Sequence, residues 1–136
     1  MATRGSIAIH NPDGSVTSIY AHFDNYLEGT GATLVNHYTD PVKVQALINL
    51  GAVSTLRSEL GQKHQFDHCA SNWCTFYGRD RGDPDSDAVT SSSVQQWLQQ
   101  HGQEYNYLFR DGEWWVECYH TDGELRSLVQ LLLEQQ

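Results

Sequence analysis

Residues 105–119, Tyr105-Asn106-Tyr107-Leu108-Phe109-Arg110-Asp111-Gly112-Glu113-Trp114-Trp115-Val116-Glu117-Cys118-Tyr119, read as a β-hairpin. Large side chains alternate along both arms, Tyr105 to Phe109 and Trp114 to Tyr119, and the Asp-Gly at the bend favours a tight two-residue turn. Rings fall on both faces of the ribbon. Downstream, Leu125, Leu128, Val129 and Leu132 recur at three- and four-residue intervals, the spacing of a helix that lies on other structure. At the other end of the chain, Ile7 and Ile9 alternate before Asn11-Pro12-Asp13-Gly14, a turn sequence. From Val16 to Phe23, Ile19, Ala21 and Phe23 then share one side and Tyr20 and His22 the other.

Between the two hairpins the pattern predicts helices and one further strand. A short helix fits Ala32 to Tyr38. Asp40-Pro41 is a start signal, a capping carboxylate before a residue with no N–H to leave unpaired, and it opens a helix that Gly51 ends. Leu56 and Leu60 suggest a helical turn, Asn72 to Tyr77 a strand, and the breaker-rich Gly78 to Asp87 a charged loop. Ser91-Ser92-Ser93 caps a helix carrying Val94, Trp97, Leu98 and His101, which Gly102 stops. The expected fold is α+β, a single domain over residues 1–136, with a mainly antiparallel sheet of about five strands and three or four helices mostly on one face.

Composition agrees with a folded chain: 136 residues, 39% hydrophobic and 18% charged, with four Trp, seven Tyr and four Phe. Rings in that number exclude disorder. No apolar run reaches the length of a membrane span, and Met1-Ala2-Thr3-Arg4-Gly5 lacks the apolar stretch of a signal peptide, so neither membrane nor secretion is expected. The net charge of −9 repels polyanions and disfavours broad nucleic-acid binding. Three cysteines, Cys69, Cys74 and Cys118, read as reduced thiols.

Several segments occur together in a familiar order: Met1-Ala2-Thr3-Arg4-Gly5-Ser6-Ile7-Ala8-Ile9, the Asp13-Gly14 turn, Ile19-Tyr20-Ala21-His22-Phe23-Asp24-Asn25-Tyr26, His37-Tyr38, Tyr77-Gly78-Arg79-Asp80-Arg81-Gly82 and Tyr105-Asn106-Tyr107-Leu108-Phe109. As a set they resemble a widespread group of small bacteriophage proteins that open with a Met-Ser-Thr-Arg-like sequence and carry an aromatic-Asp-Gly-Tyr segment. The chain departs from that pattern at Asn25, where many members have Gly, and at Gly5, where Ser or Ala is common. The resemblance implies a viral origin and a host-cytoplasmic setting. It transfers no catalytic residues.

Four constellations carry candidate chemistry. Arg79 and Arg81, flanked by the rings of Tyr77, Tyr107 and Trp114, suit a nucleotide clamp: guanidiniums for phosphate, rings for a base. A small ligand responds to the local site more than to the global charge. His22, Asp24 and His37 form an alternative acid–base set for phosphodiester or other hydrolysis, with His22 and Asp24 expected on one side of an extended strand. His64, His68, Cys69 and Cys74 are the only place where nitrogen and sulfur donors cluster, a weak zinc pattern. Asp80, Asp83, Asp85 and Asp87 make an acidic run whose plain reading is a solvated loop, and which also admits weak metal binding or partial mimicry of a phosphate backbone toward a basic host protein.

The leading expectation is a phage-encoded anti-defence protein that sequesters a small nucleotide signal, cyclic or ADP-ribose-derived, without cleaving it and with no cofactor. Stoichiometric capture would suit a homo-oligomer. The alternatives are a small hydrolase using His22, Asp24 and His37, and an acidic inhibitor of a nucleic-acid-binding defence protein.

Overall fold

The computed structural model describes residues 2–67 and 72–135. In chain order it comprises β1 (Gly5–His10), β2 (Val16–Ala21), a π-helical turn (Leu27–Gly31), α1 (Ala32–His37) and α2 (Pro41–Asn49). Then come β3 (Val53–Thr55), β4 (Thr75–Phe76), α3 (Tyr77–Arg81), β5 (Val89–Ser91) and α4 (Val94–His101). The chain closes with β6 (Tyr105–Arg110), β7 (Glu113–Cys118), a 3-10 turn (Tyr119–Thr121), β8 (Arg126–Ser127) and α5 (Leu128–Glu134).

Both hairpins form as their sequences predict. Asp111 and Gly112 take φ of 54° and 76°, as a two-residue turn with both dihedrals positive requires. In the first hairpin Gly14 takes φ of 91° and the Asp13 carboxylate accepts from the Ser15 N–H and hydroxyl. The helices at Ala32 and Pro41 also form, the latter with the Asp40 carboxylate accepting the Val42 N–H at 2.9 Å.

The sheet differs from the expectation in size and in direction. Among the described residues eight strands form one mixed sheet, in the order β4-β3-β2-β1-β6-β7-β8, with β5 also paired to β2. β1 runs antiparallel to β2 but parallel to β6, setting Ile7 between Ile19 and Tyr107, and β2 meets β3 in parallel at Ala21 and Val53. A parallel pairing across a hundred residues leaves no turn signature to read. The three additional strands, β3, β5 and β8, are two or three residues long, too short to show alternation. Two further corrections are local. Leu56 and Leu60 lie in irregular chain, and the expected strand from Asn72 to Tyr77 shrinks to Thr75–Phe76 because Tyr77 opens α3.

Helices cover the sheet unevenly. Ile7, Ile19, Tyr107 and Val116 face a core shared with Leu34, Leu47, Ile48 and Leu128 of α1, α2 and α5. Three buried rings there each satisfy a polar atom: the Tyr107 hydroxyl donates to the Asn25 carbonyl at 2.6 Å, Tyr38 to that of Arg57 at 2.6 Å, and the Trp114 indole N–H to that of Tyr38 at 2.9 Å. On the other face α4 presses Trp97 onto Ala8, Val16 and Leu108, and the Trp97 indole donates to the Ser6 hydroxyl at 2.8 Å. Beyond the end of α4 this second face is open. No helix among the described residues is long and apolar enough to cross a membrane.

Trp97 is the main side chain fastening α4 to the sheet. Trp97→Ala should lower unfolding free energy by about 3–5 kcal/mol in a urea titration, the cost of emptying a buried indole site. A loss below about 1 kcal/mol would show that α4 is held by other contacts.

Candidate functional site

The α3 segment decides which of the two arginines meets solvent. The Asp80 carboxylate, with no exposed surface, accepts from Arg79 Nε and Nη2 at 3.0 and 3.2 Å, from the Phe76 N–H at 2.8 Å and from the His64 N–H at 3.1 Å. Arg79 gives two further hydrogen bonds, from Nη1 to the carbonyl of Leu60 (2.8 Å) and from Nη2 to that of Cys74 (3.0 Å), and lies over the Phe76 ring. This closed knot ties the loop before residue 65 to β4 and to the start of α3. Burial by itself would raise the Asp80 pKa, but the Arg79 fork and the two backbone N–H groups outweigh it and hold the carboxyl below its ordinary value of 3.8. Arg79 is therefore a structural tie.

Arg81 points the other way. Its guanidinium lies 4.6 Å from the Phe66 ring centre and 4.9 Å from that of Tyr77, and it meets Asp83 through two hydrogen bonds of 2.9 and 2.6 Å. Half of the side chain remains exposed. The Phe66 and Tyr77 rings are 5.6 Å apart, and His22 stands edge-on to Tyr77 at 6.5 Å and to the exposed Phe23 at 4.5 Å. His22 Nδ1 shares a 2.6 Å hydrogen bond with the Tyr20 hydroxyl, whose pKa burial raises. Nε2 of His22 has no hydrogen-bond partner among the described residues. The result is a surface of rings and one cation, drawn from β2, its exit loop, the segment before β4 and α3.

A cleft of about 220 Å³ lies on the open part of the second sheet face, joined to this surface through Tyr20, which lines the cleft and bonds His22. Its floor is Ser6, Ser18 and Tyr20. One wall is formed by Asp85 and Asp87, the other by the end of α4 with His101. The acidic wall is fixed by a close approach, because the Ala52 N–H donates to the Ser86 carbonyl at 2.7 Å and a Cβ on Gly51 would stand 2.4 Å from that oxygen. Gly51, at φ of 83°, is the residue that permits both the helix stop and this contact. The opposite wall is fixed by Asn106, which accepts the Gln103 N–H at 2.7 Å and donates to the Gln103 carbonyl at 3.0 Å.

The remaining expected residues are placed elsewhere. Tyr107 and Trp114 are interior rings, 0% and 5% exposed, with their polar atoms spent on backbone carbonyls, so the clamp of five residues does not assemble. His22, Asp24 and His37 share no hydrogen bond or ion pair. Asp24 turns the chain at φ of 60°, which ends the extended geometry assumed for it, and His37 sits at the exposed end of α1. His64 contacts the Gln62 carbonyl at 2.9 Å and the Thr75 hydroxyl at 3.3 Å. Cys74 is buried with its sulfur 3.2 Å from the Tyr38 hydroxyl, and burial pushes its thiol pKa up. His68 and Cys69 lie outside the described residues, among which no group of three or more His, Cys, Asp or Glu is placed to hold a metal.

Sequence reading missed Phe66, Ser18, Asp87 and His101 as neighbours of one site. Phe66 had a signal, a lone ring in the polar stretch from Gly61 to Asp67. The others are joined only by the sheet.

Because the folded-state pKa of Asp80 lies below its ordinary value, the stability it supplies is present above about pH 4 and is lost as pH falls through the depressed value. Asp80→Asn should cost about 3 kcal/mol near neutral pH by leaving Arg79 buried without its counter-charge. The gap from wild type should narrow on acidification when both are titrated with denaturant across pH. A gap that persists unchanged at low pH would mean that the carboxylate's charge is not what holds the knot.

No protein-family model, curated protein or solved structure matches this chain.

Proposed function

We propose that this protein binds and holds a small nucleotide, without cleaving it, on the surface formed by Arg81, Tyr77, Phe66, His22 and Phe23. The observation that carries this reading is the Arg81 guanidinium, half exposed and supported from below by two aromatic rings. Stacking fixes the plane of the fork, so one edge can meet phosphate oxygens in bidentate fashion. Asp83 occupies that edge now, in a solvent-screened pair that a phosphate can displace at small cost. His22 offers a second nitrogen to the same phosphate, and the exposed Phe23 ring a face for a base.

Capture is favoured over hydrolysis because His22, Asp24 and His37 are engaged in separate local structures. A net charge of −9 keeps long polyanions away while one stacked guanidinium serves a ligand of few charges. Together with the resemblance to bacteriophage proteins, this supports a ligand of the cyclic or ADP-ribose-derived signalling class, sequestered in the host cytoplasm during infection.

The test is retention. Protein incubated with a panel of cyclic nucleotides and ADP-ribose derivatives is filtered and denatured, and both fractions are read by mass spectrometry. An intact ligand should be released from wild type, and Arg81→Ala should lower its retention by about tenfold, the loss of one charge-assisted bidentate contact, with an unchanged melting temperature. Unchanged retention in Arg81→Ala, or release of a chemically altered ligand, would overturn the proposal.

A further inference from the structure

We infer that the cleft floored by Ser6, Ser18 and Tyr20 takes the sugar of the bound nucleotide and reads its ribose hydroxyls. The inference rests on the nucleotide reading above and adds to it the class of nucleotide. At about 220 Å³ the cleft is smaller than the roughly 300 Å³ at which pockets enclose a whole drug-sized ligand, so it suits one part of a molecule whose remainder lies outside. The ring-and-cation surface is the neighbour that would hold the remainder, since Tyr20 both lines the cleft and bonds His22 at the edge of that surface.

The chemistry of the lining selects the part. No Lys or Arg lines the cleft, and Asp85 and Asp87 make it repel phosphate. Those two carboxylates have no hydrogen-bond or ion-pair partner among the described residues, and acceptors of this kind call for O–H or N–H donors. An independent feature points to a ligand: Ser18 is only 2% exposed, lines the cleft floor, and forms no side-chain hydrogen bond among the described residues, so the little surface it keeps is turned to the cleft. A recessed hydroxyl that opens only to the cleft keeps its hydrogen bond for whatever fills the cleft, water or a ligand atom. Ser6 beside it accepts the Trp97 indole N–H, which leaves its own proton to give. Vicinal hydroxyls answer this set, donating to the carboxylates while accepting from the serines. Phosphate then falls to Arg81 and the diol to the cleft.

The four ribonucleoside 5′-diphosphates and their 2′,3′-dideoxy counterparts are the probes, each pair competed for wild-type protein and quantified by filtration and mass spectrometry. The ribo form of a retained pair should be held about tenfold or more over the dideoxy form, as in sites built to bond a hydroxyl. Ser18→Ala and Asp87→Ala should bring the pair to near parity, while Arg81→Ala weakens both members alike. Equal retention of ribo and dideoxy forms by wild type would overturn the cleft assignment and leave nucleotide capture standing. A ribo preference that survives Ser18→Ala together with Asp87→Ala would also overturn it. Retention of neither form in any pair would likewise overturn the cleft assignment, while nucleotide capture itself is decided by the panel of cyclic nucleotides and ADP-ribose derivatives.

Discussion

Strand β1 is the constraint on which the rest of the molecule depends. Its backbone is paired on one side to β2 and on the other, in parallel, to β6, and its side chains are buried in alternation on both faces. Ile7 looks into the main core and Ala8 into the Trp97 layer, so a single strand joins the two hairpins, the α1, α2 and α5 layer, and α4. Gly5 at its start lies against Asn25, where a Cβ would stand 2.7 Å from side-chain atoms. Asn25 in turn holds the exit of the first hairpin by donating to the carbonyls of Thr3 and Phe23. The sheet therefore fixes where β2 ends and where His22 and Phe23 emerge.

Two adjacent arginines have opposite fates because one carboxylate lies between them. Asp80 draws Arg79 inward into a set of contacts that engages all three of its nitrogens, and the short helix thereby started turns Arg81 outward over Phe66 and Tyr77. Gly82, at φ of 75°, ends the helix and sends the chain toward Asp83 and the acidic wall of the cleft. Arg81 pairs with Asp83, while Asp85 and Asp87, further along the same segment, form no ion pair among the described residues. On the proposed reading, a supported guanidinium and an acidic cleft on one protein would distinguish the phosphate end of a small molecule from its neutral, hydroxyl-bearing part.

Much of the local structure was legible in the sequence, since hairpins and capped helices are written in turn residues, alternation and caps. The Asp111-Gly112 bend, the Asp40-Pro41 cap and the Trp97 helix face are of this kind. What sequence could not supply was pairing between distant segments: β1 with β6, and the two- and three-residue strands that exist only because a neighbour offers an edge. The site suffered from the same limit. Arg79 and Arg81 look equivalent until the burial of Asp80 is known, and rings at alternating positions look alike whether they face a core, as Tyr107 and Trp114 do, or solvent, as Phe23 does. His22 and Arg81, assigned to different chemistries on sequence grounds, become near neighbours through Tyr77.

The account stands on the location of the ligand, and amide chemical-shift mapping measures that directly. Titrating the labelled protein with a retained ribonucleotide should perturb amides of residues 18–23 and 77–89 and that of His101, on both sides of the cleft and under the stacked guanidinium. Perturbations centred instead on the groove between α1 and α5, around Val35, Val129 and Leu133, would contradict it.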